Sequence, residues 1–285
     1  MKKEELPFVV DMKDKVAVVT GGGGVICSCL SQALAACGAK VAILDRSLDK
    51  ADALAKKIIA DGGQAKAYFG NVLDKASLHS VHEEILKDFG PADILLNGAG
   101  GNSPLATCAD EKVSVEDLDK DTKNFFNLDD SGFQFVFNLN ILGTLLPSQE
   151  FASDMAKRKS GSILNISSMN AFRPLTKIPA YSAAKAGVSN FTQWLAVALS
   201  DLNIRVNAIA PGFFSTTQNK ALLWNEDGTP TKRTGKILAA TPMGRFGEVN
   251  ELIGATLFLL DPKSASFVTG VVLPIDGGFN AYSGV

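Results

Sequence analysis

The sequence predicts an α/β protein of the doubly wound, Rossmann type: one mainly parallel, seven-stranded sheet in a single domain, with helices on both faces. Three observations carry this. Short β-branched runs alternate with longer helical patterns along nearly the whole chain, which is the signature of βαβ units. Four consecutive glycines, Gly21 to Gly24, separate the first apolar run from the first helical pattern. No stretch rich in Pro, Ser or charge divides the 285 residues, so one domain spanning 1–285 is expected.

The elements follow in order. Val16 to Val19 is a buried strand, and Leu30, Ala33, Leu34 and Cys37 recur at helical spacing before Gly38, which suits a cap. Val41 to Leu44 is the second strand, Leu48 to Ala60 a helix, and Ala65 to Phe69 the third strand. A helix over Lys75 to Asp88 precedes a fourth strand, Ile94 to Leu96, which runs into Asn97-Gly-Ala-Gly-Gly101. The polar segment 102–130 has no strong period, and interior connections of that length often carry function. Phe133 to Lys157 reads as one long helix containing Asn140, kinked at Pro147. Ser162 to Ile166 is the fifth strand, Tyr181 to Ser200 a helix and Ile204 to Ile209 the sixth strand. After a second polar stretch, Phe213 to Thr241, come a helix over Glu248 to Leu260 and a last strand over Val268 to Ile275. The expected division is a cofactor-binding and catalytic core at 12–212, a substrate lid at 213–241, and the last helix and strand at 242–285.

Composition narrows the partners. A net charge of −2 offers no global field to gather nucleic acid or an anionic membrane. No apolar run reaches membrane-spanning length, and the first residues lack a signal-peptide core, so a cytoplasmic protein with a small-molecule substrate is expected. The four cysteines form neither a CxxC pair nor a disulfide framework. They read as small apolar fillers, with Cys27 reactive only if it lies at the start of a helix. His79 and His82 share a helix at i, i+3, but the chain has no further histidine to complete a metal site; no metal is expected, and both read as solvent-facing.

The glycine loop lets a backbone approach a pyrophosphate, whose charge the following helix N-terminus stabilises. Taken alone it fits a methyltransferase or flavoprotein equally. Asp45, at the end of the second strand, adds a carboxylate placed to accept hydrogen bonds from an adenosine ribose diol; a turn or cap residue is the alternative. Tyr181 and Lys185 stand at i, i+4 on one helix face, where the ammonium would stabilise phenolate and lower the phenol toward working pH. Such a tyrosine exchanges a proton with a carbonyl or hydroxyl oxygen. Ser168, just past the fifth strand, faces the same end of the sheet.

With Thr20-Gly21 and its glycine run, Asp45, Asn71-Val72, Asn97-Gly-Ala-Gly100, Asn140, Ser167-Ser168, Tyr181-xxx-Lys185, Pro211-Gly212 and Asp276-Gly-Gly278 in order, the chain from about Lys13 onward resembles the short-chain dehydrogenase/reductase family. The resemblance implies that Ser168 polarises the substrate oxygen, Tyr181 is the acid/base, Lys185 holds the nicotinamide ribose and Asn140 supports a proton-relay water. It implies NAD as cofactor, with NADP possible, held by Gly21, Gly24, Val25, Ile26, Asp45, Asn71, Val72, Asn97, Gly98, Ala99, Tyr181, Lys185, Pro211 and Gly212, and a homotetramer as the assembly. Four positions depart from the family's pattern. Val25 and Cys27 stand where the second and third glycines of the loop are expected. Asn71 replaces an Asp, and Gly98 replaces a second Asn, at an expected cost in local stability.

The insert after Asn102, the helix Phe135 to Gln149, Pro211-Gly-Phe-Phe214 with Gln218-Asn219, and the end Phe279 to Val285 resemble the short-chain branch of D-mannonate oxidoreductases, also called fructuronate reductases. A hexuronate carboxylate suits Arg173 or Lys177, with Asn102, Gln218 and Asn219 as amide partners. Lys220, Lys232, Arg233 and Lys236 hint at a lid that closes on an anion. Other enzymes this pattern admits are sugar or polyol dehydrogenases such as a keto-gluconate reductase. A redox-sensing regulator would need only the cofactor pocket, and the joint presence of Ser168, Tyr181 and Lys185 argues against it.

Overall fold

A computed structural model describes residues 1–216 and 223–284. Strands β1 (Val16–Thr20), β2 (Lys40–Asp45), β3 (Gln64–Phe69), β4 (Ile94–Asn97), β5 (Gly161–Ile166), β6 (Ile204–Pro211) and β7 (Val272–Ile275) form one sheet in the order β3-β2-β1-β4-β5-β6-β7. Every pair is parallel. The fold is therefore the doubly wound one. All five residues of β1 are buried, as expected of a strand covered on both faces.

Alternate strand residues supply the two cores. Ala17, Val19 and Ile43 pack with α1 (Val25–Ala36), α2 (Leu48–Ala60) and α8 (Ile253–Leu260). Val16, Val18 and Leu95 pack on the other face with α3 (Lys75–Asp88), α5 (Gly143–Arg158) and α6 (Pro179–Ala198). The winding reverses between β1 and β4, and the carboxyl ends of strands at such a switch point border the ligand crevice. The N-terminal residues are tied down as well, since Leu6, Val10 and Met12 are buried in the first core.

Several expectations need correction. The helix expected over 133–157 is two, α4 (Asp130–Phe137) and α5, joined by a π-helical turn at Asn138–Leu142 in which the Gly143 amide reaches back to the Asn138 carbonyl. Pro147 lies inside α5, and its ring crowds the carbonyl of residue 143, so the irregularity falls one turn upstream of the proline. The last strand is shorter than expected because Gly270, at φ 79°, turns the chain before Val272. The polar stretch 213–241, read as a lid without strand character, contains α7 (Lys232–Ala239), whose amphipathic register buries Thr234 and Ile237 and whose N-cap Thr231 hydroxyl accepts from the Thr234 amide.

His82 is not solvent-facing. It is 5 % exposed, its Nδ1 lies 2.8 Å from Glu150 and its Nε2 2.7 Å from Asp154, and its ring stands edge-on to Phe151. Carboxylates one turn apart on α5 invert the outward position that α3's sequence alone suggests. His79 is exposed and shares Glu150 at 3.0 Å. No metal-binding group of three or more such residues occurs among the described residues, and no described helix is long and apolar enough to cross a membrane.

Candidate active site

The cofactor half of the cleft is assembled from backbone. Gly21 takes φ 62°, and a Cβ there would come within 2.8 Å of Ala99 Cα, so the loop lies directly on the end of β4. Gly24 precedes α1, leaving the first amides of that helix, those of Val25 and Ile26, without intrahelical partners and aimed at the loop's edge. Asp45 Oδ2 accepts from the Gly23 amide at 3.0 Å and Oδ1 from Ser47 at 2.8 Å. Asp45 is a turn residue, and it also borders a cavity of about 180 Å³ shared by Gly21, Asn71, Val72, Ala99 and Gly100. Asn71 spends its side-chain oxygen on the Leu73 amide, 3.1 Å away.

The two departures at Cys27 and Gly98 form one complementary pair. A Cβ built on Gly98 would fall 2.0 Å from Cys27 Sγ, so the thiol fills the volume that a side chain at 98 would need. Gly98 therefore accommodates Cys27 rather than merely weakening the strand end. Cys27 is 4 % exposed, and burial pushes its thiol up to about 12, which removes it as a reactive group although it lies in the first turn of α1. The Gly98 and Ala99 amides donate to Thr20 Oγ1 at 3.1 and 3.3 Å, locking β4's exit to that of β1.

Asn97 faces the interior. Its amide donates to Ser148 and to Asn165, each at 2.9 Å, and Asn165 donates on to Thr192, also at 2.9 Å. Its side chain is thus a tie between β4, α5 and β5, and only its backbone borders the cleft. Asn165, Ser148 and Thr192 were not legible as functional, because isolated polar residues in apolar patterns carry no spacing signal. Ser189 had one, standing at i+4 from Lys185; its hydroxyl lies 2.7 Å from that of Ser167, which in turn donates to the Lys185 carbonyl.

At the candidate catalytic centre, Asn140 stands buried in the π turn. Asn140 Nδ2 donates to Val136 O at 2.7 Å and Gly101 O at 2.8 Å, while Oδ1 accepts from the Gly101 amide at 3.3 Å. A Cβ at Gly100 would lie 2.8 Å from Asn140 Oδ1 and 3.1 Å from Lys185 Nζ, so bare backbone passes between the two side chains. Lys185 Nζ donates to Ile166 O at 2.7 Å and stands 5.7 Å from the Tyr181 ring centre. Ser168, 8 % exposed, hydrogen-bonds to Tyr181. The structure thus joins Asn140, Ser168, Tyr181 and Lys185.

Their electrostatics differ from expectation. Burial raises the Tyr181 phenol and only the Ser168 hydrogen bond opposes it. Burial also lowers Lys185 to about 8, offset in part by the Cys27 side chain. Burial dominates at both groups, so the phenol is held above its ordinary value and keeps its proton at neutral pH.

On the far side, Gly212 lies so close to Asp276 that a Cβ would come within 2.6 Å of Asp276 Cα, and Pro211 ends β6 beside it. Asn102 is exposed and donates to Thr107 at 2.9 Å. Arg173 is exposed, and its Nε donates to Asn280 O at 2.7 Å. Gln218, Asn219 and Lys220 lie outside the described residues.

Comparison with known proteins agrees with this geometry. The model of the short chain dehydrogenase family matches residues 15–227. An uncharacterized oxidoreductase of Haemophilus influenzae is 57% identical over 275 residues, 96% of each chain. A 5-keto-D-gluconate 5-reductase of Escherichia coli K12 is 33% identical over 264 residues, 93% of this chain and 94% of the reductase. Among solved structures, a Haemophilus protein provisionally described as a D-mannonate oxidoreductase, with bound NAD, superposes with a TM-score of 0.93 at 57% identity, covering 96% of this chain and 98% of its own. The chain belongs to the short-chain dehydrogenases. It is an NAD-dependent oxidoreductase with the Rossmann-type fold of that family.

Proposed function

We propose that the enzyme interconverts D-fructuronate and D-mannonate, with Tyr181 giving the proton to the ketone oxygen in reduction. Bound NAD supplies or accepts the hydride. Ser168 hydrogen-bonds the same oxygen and holds it against Tyr181, and Lys185 binds the nicotinamide ribose. Asn140, fixed to Gly101 and Val136, positions the water through which Tyr181 regains its proton. The observation that carries the substrate assignment is the likeness, along nearly the whole chain, to the Haemophilus protein provisionally described as a D-mannonate oxidoreductase. Arg173, Asn102, Gln218 and Asn219 are candidate substrate contacts, the last two within the stretch 213–241 read as a substrate lid. In the same reading the protein is a cytoplasmic homotetramer. Keto-gluconate reduction is the second reading, favoured by the likeness to the Escherichia coli reductase.

The test is a screen of purified protein against D-fructuronate, 5-keto-D-gluconate and D-fructose with NADH and NADPH. The highest kcat/KM is expected for D-fructuronate with NADH. A higher value for 5-keto-D-gluconate would transfer the assignment to the second reading.

A further inference from the structure

The connection between Ser168 and Tyr181 borders a second cavity, of about 350 Å³, closed on its other sides by α7, by Phe213 beyond β6, and by Phe279. Four cations line it, Lys177, Lys232, Arg233 and Lys236, against a single acid, Glu111. Two of the cations are already engaged: Lys236 pairs with Glu111 at 2.7 Å, and Lys177 donates to the Ala109 carbonyl. Lys232 and Arg233 have no carboxylate within 4.0 Å among the described residues. They occupy the first two positions of α7, where the helix dipole disfavours positive charge, and that first turn contains no acid. Two unpaired cations at the unfavourable end of a helix, facing a cavity with apolar walls, make a site for an anion.

We propose that Lys232 and Arg233 bind the carboxylate of the substrate, and that Arg173 does not. This rests on the hexuronate reading. A keto-hexuronate has its carboxylate at the far end of the molecule from the carbonyl, so a reader of that group belongs beyond the catalytic residues and not among them. The cavity meets this condition, because Leu175 to Lys177 in its wall immediately precede α6, which contributes Tyr181. Phe213 and Phe279, edge to face at 5.4 Å and both half-buried, form an apolar wall of the cavity beside the exposed cations. Arg173 is instead committed through Nε to the Asn280 carbonyl and positions the C-terminal segment.

The test uses the NAD-loaded protein and the pair Lys232→Met/Arg233→Met. KM for D-fructuronate is expected to rise roughly tenfold or more, the effect of losing a charge-assisted hydrogen bond. The change in kcat should be smaller, because the carboxylate does not react. Efficiency on D-fructose should be unchanged, and Arg233→Lys should recover most of the loss. An unchanged KM in the pair, or the tenfold rise appearing in Arg173→Ala instead, overturns the proposal. Calorimetric binding of D-mannonate separates the two readings. If the wild type binds it, the pair binds about tenfold more weakly and no turnover is seen, the anion site stands and the assigned reaction fails. Equal binding by wild type and pair overturns the anion site.

Discussion

Cys27 and Gly98 on one side of the cleft, and Lys232 and Arg233 on the other, show two ways of making a specific site. The first pair, a buried cysteine and a half-buried glycine, is mutually excluding: the thiol fills the space that a side chain at 98 would require. The second pair is exposed, and its members face a cavity without a carboxylate partner. Around Gly98 the backbone of β1, β4 and α1 is fixed by contacts shorter than a side chain can enter, so one change forces another. Around Lys232 a side chain can be exchanged without moving its neighbours. Lesions on the cofactor side should therefore disturb folding and cofactor binding together, whereas lesions on the substrate side should alter the KM of one substrate.

The largest expected effect on that contrast comes from Gly98→Ala, which should destabilise the protein by about 1–3 kcal/mol as an overpacked core position. Cys27→Ala in the same chain should restore most of that loss, giving a coupling of roughly 0.5–3 kcal/mol in a denaturant double-mutant cycle. Additive effects would mean that the two positions are independent.

A smaller effect is expected from pH. Lys185 is needed as the ammonium, and the folded protein releases that proton near pH 8, below the ordinary lysine value of 10.5. Activity is thus present below pH 8 and lost as pH rises through it. Measured as kcat/KM for NADH, it should fall about tenfold per unit on the alkaline side. Lys185→Arg, whose charge persists at those pH values, should keep whatever activity it has across that range. An alkaline limb unchanged in Lys185→Arg would assign it to another group.

The smallest effect belongs to Asp45→Ser, which removes like-charge repulsion of a 2′-phosphate along with two hydrogen-bond acceptors. The preference for NAD over NADP should narrow by a few-fold, read as the ratio of the two kcat/KM values, while Arg46 moderates it in the wild type. An unchanged ratio would remove Asp45 from cofactor selection.

What was legible in the sequence follows the same division. The bounds of α2 and α3 could be read because their apolar period is local and turns close them. Tyr181, Lys185 and Ser168 were legible because helical spacing and a strand end bring them to one end of the sheet, whereas Asn140 was implied only by the family resemblance. Tertiary pairings were not: His82 is buried through Glu150 and Asp154, 68 and 72 residues away in sequence, and Gly98 makes sense only beside Cys27. The direction of the Tyr181 shift was also misread, since helical spacing reveals the nearby cation but not the desolvation that outweighs it.

The central claim is that Tyr181 gives the proton in an otherwise assembled NAD site, and Tyr181→Phe tests it most directly. NADH binding, followed by fluorescence titration, and turnover of D-fructuronate should be measured on the same preparation. The account expects NADH affinity within a few-fold of wild type and turnover lower by roughly 10²–10⁴-fold, the usual worth of a positioned acid. Turnover comparable to wild type with NADH binding intact would contradict it.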